Sequence, residues 1–420
     1  METTQLKKGY KQTSIGLIPE DWDVQNVGEA FEIRNNLRLP ISRQVRESIE
    51  GQYRYYGPTS IQGYINEYRV EGEHALIGED GDHFLKWRDV SMTLLVDGKF
   101  NVNNHAHIIK GVENLTSWFY YFFAHKELSS YLTRQGAGRY KLTKSTLASI
   151  PCAIPPLPEQ RSIAQALSDV DALVAALEKT IAKKRAVKTA TMQQLLTGKQ
   201  RLPGFGDGKG WKESAIGTIP EDWILTSLEK ISAFITKGST PTTYGFNWVQ
   251  DGVLFLRSEC VSENGLDLSH SMFISQKAHE VLVRSELRSG DILITITGNV
   301  GRIVYLRSDF GIGNINQHIA RVRIVSDSVY PEFVYHFLTQ TSIRKAFNSI
   351  TTGQAYPQIS LKQVREASIP LPSLSEQQTI ATILTDMDAE ITSLETRLAK
   401  TQTLKQGMMQ ELLTGRTRLL

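Results

Sequence analysis

The chain has 420 residues, 40% hydrophobic and 22% charged, a size beyond one ordinary core that suits two to four globular domains. No run of about 18 apolar residues occurs and the opening METTQLKKGYKQ has no apolar stretch, so neither a membrane span nor a secretory leader is expected and the cytoplasm is the expected location. A formal net charge of only +3 excludes nucleic-acid binding by bulk charge, though not by local basic patches, and two distant cysteines, Cys152 and Cys260, argue against a disulfide framework or a cysteine zinc site.

In chain order, the first motif is SIGLIPEDW at Ser14–Trp22. A first head follows at 22–150, with β-type segments at His74–Gly78, Met92–Val96 and His105–Lys110 and an apolar aromatic stretch, Leu115–Leu132, that predicts a helix. Pro155, Pro156 and Pro158 then stop any helix before Gln160. Beyond them Ile163, Leu167, Val170, Val174, Leu177 and Ile181 step 4, 3, 4, 3, 4, a heptad seam on a helix that the glycine of Leu-Leu-Thr-Gly198 caps. Glu159 and Gln160 are placed to supply acceptors for its first turn. The far end of this rod is basic, with Lys183, Lys184, Arg185, Lys188, Lys199 and Arg201.

The entry motif returns as AIGTIPEDW at Ala215–Trp223, an offset of 201 residues from Ile15 to Ile216. The second head carries strand-type runs at Val253–Ser258, Asp291–Thr297, Arg302–Ser308 and His318–Val325, then a predicted helix at Pro331–Phe347. The seam returns as Ile380, Leu384, Met387, Ile391, Leu394 and Leu398, and Leu-Leu-Thr-Gly415 closes it, offset by 217 residues from Glu159 to Glu376. Each rod spans about 38 residues, near 57 Å at about 1.5 Å per residue. A single amphipathic helix of that length needs a partner, and two matching seams predict an antiparallel coiled coil between the rods.

The expected fold is therefore α+β, a pseudo-two-fold internal repeat with two globular recognition domains separated by two long helices. The segments are an entry segment 1–21, the first head 22–150, a helical spacer 151–205, the second head 206–367 with its repeated entry motif at 215–223, and a helical spacer 368–420. Like rods with unlike heads suggest a chain that reads two different things a fixed distance apart. The heads share a faint order: a glycine-bounded strand (LIGEDG; GDILITITGNVG), an Asn/His strand (VNNHAHII; INQHIARV), and a late glycine-polar-basic stretch (Arg134–Leu147; Ile350–Val364).

Catalytic signatures are missing. The chain has no Asn/Asp-Pro-Pro-aromatic tetrapeptide, no phosphate-binding glycine loop, and no nucleophile, base and orienter set, so no enzymatic activity is expected of it. His105 and His107 share a strand face without a carboxylate or cysteine cluster, which suits a structural pair rather than metal ligands. The polar loops do suit DNA. Arg34, Asn35, Asn36, Arg38 and Arg43 in RNNLRLPISRQVR combine guanidinium and amide donors able to read base edges. Arg54 and Tyr55 belong to QYRYYGPTS, and Arg139, Tyr140, Lys141 and Lys144 to GRYKLTK, a stretch suited to phosphates. The counterparts in the second head are Lys237, Ser239 and Thr240, then Thr297, Asn299 and Arg302, then Gln354, Tyr356 and Gln358.

IPEDW before each head, the P-[LS]-x-E-Q stretch at Pro156–Gln160 with its copy at Ser373–Gln377, and the helix endings QQLLTG and QELLTG together resemble the specificity subunits of type I restriction-modification systems, over essentially the full length. The resemblance implies a double-stranded DNA-binding subunit that recognises a bipartite, asymmetric site. It also implies two modification (methyltransferase) subunits as partners, which methylate an adenine in each half-site, and restriction/translocase subunits that cleave unmethylated DNA. S-adenosylmethionine, ATP and magnesium would then sit on the partners and no cofactor or metal on this chain. Two alternatives stand beside it: an assembly scaffold that binds no DNA, and the specificity subunit of a system whose partner fuses methyltransferase and nuclease.

Overall fold

The computed structural model describes residues 8–135, 139–263, 265–353 and 356–419. They divide into two compact units, Met1–Glu178 with Thr396–Leu420, and Lys179–Glu395. The division cuts across the segments drawn from sequence, because each unit takes one head together with part of each rod.

Both heads are built from two four-stranded sheets in the same order. In the first head one sheet runs Glu32–Ile33, Ala106–Lys110, His74–Gly78, Thr93–Val96, all antiparallel, and the other runs Ile61–Ile65, Glu50–Tyr56, Lys99–Val102, Val70–Glu71. The second head repeats this with Thr236–Lys237, Ile319–Val322, Ile292–Thr295, Ile303–Tyr305 and with Met272–Ile274, Val253–Leu256, Gly313–Ile315, Glu286–Leu287. Each second sheet holds one parallel pair at its centre, Arg54 opposite Phe100 and Leu254 opposite Gly313.

The central strands are largely apolar because both of their faces are covered. Ile292 and Ile294 face the late helix with Phe333 and Phe337, while Leu293 faces Leu256 and Ile315. Likewise Ala75 and Ile77 pack with Trp118 and Phe119, and Leu76 with Tyr56 and Phe100. The late helices are shorter than predicted. In the first head the helix is Thr116–Ala124 and gives way at the polar His125-Lys126-Glu127. In the second it is split into Pro331–Leu338 and Thr341–Ser349, because the Gln340 side chain donates back to the Phe337 carbonyl and its backbone turns extended.

The rods are helices Leu157–Leu195 and Leu374–Leu412, 39 residues each. In the first unit Ile163 and Leu167 pack in one core with Met409 and Leu412, and Asp171 pairs with Lys405. In the second, Met192 and Leu195 pack in one core with Ile380 and Leu384, and Lys184, Arg185 and Lys188 pair with Glu390, Glu395 and Asp388. Numbers that rise along one rod as they fall along the other define antiparallel pairing. Leu177, Ile181 and Ile391 of the seam are buried, while Val170, Val174, Met387, Leu394 and Leu398 are half-buried. The basic run of the first rod is thus largely matched by carboxylates.

The repeated motifs meet in a clasp that occurs once in each unit. Gly198 and Gly415 both sit at φ +70°, where a side chain is strained, and a Cβ on them would come within 2.3 Å of Pro220 and 2.5 Å of Pro19. Past the glycine, Arg201 forks onto Glu376 and Asp222 over the Trp223 ring, and Arg418 forks onto Glu159 and Asp21 over the Trp22 ring. Glu159 lies in the first turn of its rod, as the sequence places it, but the side chains of Glu159 and Gln160 bind elsewhere than the turn's own amides. Glu159 accepts from Arg418 and from Trp22 Nε1, while Gln160 receives the Leu115 amide and donates to the Pro155 carbonyl. Gln377 does the same for Tyr330 and Pro372.

Candidate nucleic-acid interface

Each head presents the same edge, built by backbone bonds that recur one for one. In the first head Gly81 N donates to Tyr140 O (3.1 Å), Leu142 N to Glu79 O (2.7 Å) and Glu79 N to His105 O (2.8 Å). In the second, Gly298 N donates to Pro357 O (2.8 Å), Ile359 N to Ile296 O (2.9 Å) and Ile296 N to His318 O (2.9 Å). The described end of the late glycine-polar stretch, Tyr140–Leu142 or Pro357–Ile359, thereby lies along the end of the central strand in both. Beside it is a turn, Asn103-Asn104-His105 or Asn316-Gln317-His318, in which the first Asn side chain accepts from the His amide (2.8 and 3.1 Å). Both of these asparagines are buried and both donate their backbone N–H to the strand parallel to the one they end, at Tyr56 O and Leu256 O. This turn was legible only as an Asn/His strand. Its pattern, Asn-x-His at the matching place in two unlike heads, was the available signal.

Several predicted contacts are brought to this edge. Arg139 is exposed at its rim, and Arg134 lies over the Tyr140 ring and donates to its hydroxyl. In the second head Thr297 bridges Gln358, Tyr356 is largely exposed, and Thr240 donates to Gln317. Lys237 and Asn299 are exposed and Ser239 is half-buried, whereas the Arg302 Nε is buried with no hydrogen-bond partner among the described residues. Gln354 lies outside the described residues.

Others have internal duties. Tyr55 is corrected outright: it is 0% exposed and its hydroxyl donates to Leu39 O, so its ring belongs to the core. Arg38 is held by Glu79 (2.7 Å) and His107 (2.9 Å), and the Asn35 amide by His107 and Ile108. Lys141 also lies near Glu79, at 3.5 Å, and Arg43 pairs with Glu47. Arg54 donates to the Asp97 carbonyl. Arg34, Asn36 and Lys144 line an open hollow of about 880 Å³ that also contains Glu29, Glu32 and Glu113, a carboxylate lining ill suited to phosphate. Arg34 is paired with Glu32 there.

His107 is the polar pin beneath the first edge. Its Nδ1 receives Asn35 and Arg38, so the ring proton sits on Nε2 and is donated to Leu142 O at 2.8 Å. Burial pushes it down to about 4. In the second unit burial likewise pushes His336, which meets Thr385 at 3.0 Å, down to about 3. Both folded values lie below the unfolded value near 6.5, so as pH falls the unfolded chain takes up protons first. Stability is full above about pH 6.5 and drains away below it by about 1.4 kcal/mol per pH unit for each histidine. Denaturant unfolding at pH 7 and pH 5 checks this, with a loss of about 2 kcal/mol per histidine expected and a flatter profile for His336→Gln. Equal stability at both pH values would contradict it. The other conspicuous pair is open: His105 meets Asp80 at 2.8 Å. Among the described residues no cluster is arranged to hold a metal ion, and no helix is long and apolar enough to cross a membrane.

The model of the type I restriction modification DNA specificity domain matches this chain twice, at residues 19–184 and 220–405. A putative type I restriction enzyme specificity subunit (MjaX) of Methanocaldococcus jannaschii is 26% identical, over 98% of this chain and 97% of its own length. The EcoBI specificity subunit of Escherichia coli is 26% identical over 93% of this chain and 84% of its own. Among solved structures, the S subunit of a type I restriction-modification system from M. genitalium superposes with a TM-score of 0.64 at 16% identity, covering 93% of this chain and 96% of that one.

Proposed function

We propose, from the premise that this chain belongs to the type I restriction modification DNA specificity family, that it recognises a bipartite, asymmetric DNA site, each head reading one half. The observation that carries this reading is the pair of matching edges. Two heads of one framework, with the same backbone bonds, present different side chains at the same place. A framework that is kept while its rim changes is what two different half-sites require. The chain is a recognition subunit rather than an enzyme. Two modification subunits bring S-adenosylmethionine and methylate an adenine in each half, and restriction/translocase subunits bring ATP and magnesium. The complex works in the cytoplasm.

The test is retardation of double-stranded DNA by the chain assembled with its modification subunits. Specific retardation is expected, and a complex that assembles yet retards no DNA would leave the scaffold reading instead. Arg139, exposed and without an ion-pair partner among the described residues, is assigned to a phosphate. Arg139→Ala is expected to weaken binding to all sequences alike and to lower the salt slope by about one. An unchanged slope would make it an ordinary surface charge.

A further inference from the structure

We infer that Gln317 reads the major-groove edge of an adenine in the half-site bound by the second head. The inference rests on the reading of the heads as DNA-recognition modules. Gln317 is the middle residue of the turn at Asn316–His318. Asn316, buried, fixes that turn from both sides: its side chain accepts the His318 amide at 3.1 Å, and its backbone N–H donates to Leu256 O at 3.1 Å, extending the parallel pair of Val253–Leu256 with Gly313–Ile315. The tip therefore stands where the chain crosses between sheets, on rigid support.

The Gln317 side chain is oriented as well as placed. Its Oε1 receives the Thr240 hydroxyl at 2.8 Å, and its Nε2 lies 3.2 Å from His318 Nε2. A primary amide has two acceptor lone pairs and two N–H donors. Among the described residues the protein uses one of each, leaving one acceptor and one donor on this half-buried amide. Exchanging the amide oxygen and nitrogen leaves the same remainder, since Thr240 can accept where it donated and His318 can donate where it accepted. One free donor and one free acceptor on the same amide complement adenine, whose N7 accepts and whose N6 donates. Guanine offers two acceptors there, cytosine a donor alone, and thymine an acceptor beside a methyl.

The first head carries an amide at the corresponding tip. Asn104 is exposed between Asn103 and His105, where the same two bonds recur: Asn103 N–H to Tyr56 O at 3.0 Å, and the His105 amide to the Asn103 side chain at 2.8 Å. A purely structural role for Gln317, latching Thr240 to the turn, predicts a change in stability when it is replaced and no change in which bases are read.

Methylation mapping of DNA modified by the assembled complex separates these. With wild type, a split site defines the two halves; a wild type that modifies no split site would overturn the reading of the heads and this inference with it. Given a split site, Gln317→Ala should make one A·T position of one half degenerate, with a preference there of about tenfold or more falling toward one, and leave the other half unchanged. Gln317→Arg should move that same position toward guanine. Thr240→Val, which frees the amide without removing it, should relax the same position in part, and it decides the matter if Gln317→Ala does not assemble. An unaltered motif in an assembled, methylating variant would overturn the assignment. So would relaxation at a G·C position, or at the half-site lost when the first head is exchanged.

Discussion

Arg201→Ala is expected to destabilise the second unit by about 3–5 kcal/mol, the cost of leaving a buried carboxylate without its partner. Glu376 is the residue stranded, with a side chain 2% exposed whose carboxylate is held by Arg201 through two bonds of 2.7 Å. The same substitution at Arg418 should cost less, because Glu159 keeps the Trp22 indole N–H at 2.8 Å, whereas Trp223 Nε1 has no hydrogen-bond partner among the described residues. Arg201→Lys keeps a positive charge but loses the planar fork that spans Glu376 and Asp222, so it should recover only part of the loss. Replacing both partners, Arg201→Met with Glu376→Leu, should restore more, since no buried charge is then left uncompensated. Denaturant unfolding of the chain measures each of these. If Arg201→Ala unfolds within about 1 kcal/mol of wild type, the clasp is not what ties rod end to entry motif.

Adding one helical turn to both rods is expected to lengthen the unread gap between the half-sites by one or two base pairs. Four residues add about 6 Å along a helix, and a base pair rises about 3.4 Å. The extra rotation, about 40° beyond a full turn, is close to the 34–36° or so by which B-DNA turns per base pair, so a reading edge can stay in phase with its groove. The pairing dictates where the residues go. Asp171 is matched to Lys405, and Lys184, Lys188 and Arg185 to Glu390, Asp388 and Glu395. Four residues placed between Asp171 and Lys184 need four more between Glu395 and Lys405, or one of these registers is lost. Methylation mapping of the doubly extended variant should show unchanged half-sites with a longer gap. An unchanged gap in a variant that assembles and methylates would mean that the rods do not set the spacing.

The rods were legible because a seam repeating every three or four residues is a local signal, and it holds from Ile163 to Ile181 and again from Ile380 to Leu398. The clasp was not. Gly198 and Gly415 read correctly as helix ends, but what Glu159 and Glu376 bind lies 259 and 175 residues away at Arg418 and Arg201, and no local pattern announces that. Within the heads, strands were visible and their partners were not, since the parallel pairing of Glu50–Tyr56 with Lys99–Val102 joins distant segments. Tyr55 shows why the site was harder still. In a strand covered on both faces, alternation does not say which tyrosine is free, and Tyr55 points inward. The Asn-x-His turns lay in plain sight as Val102–Ile109 and Ile315–Val322. Only the hydrogen bonds that Asn103 and Asn316 accept from the histidine amides turn those letters into a tip.

The central claim, one head for each half-site, is tested most directly by exchanging residues 27–150 for those of another family member and mapping methylation. These bounds leave the antiparallel pair Asp23–Asn26 and Pro151–Ile154 intact as the joint between head and rod. The account predicts a new sequence in one half of the site, the original sequence in the other, and the same gap between them. A change in both halves, in a chain that still folds and assembles with its modification subunits, would contradict it.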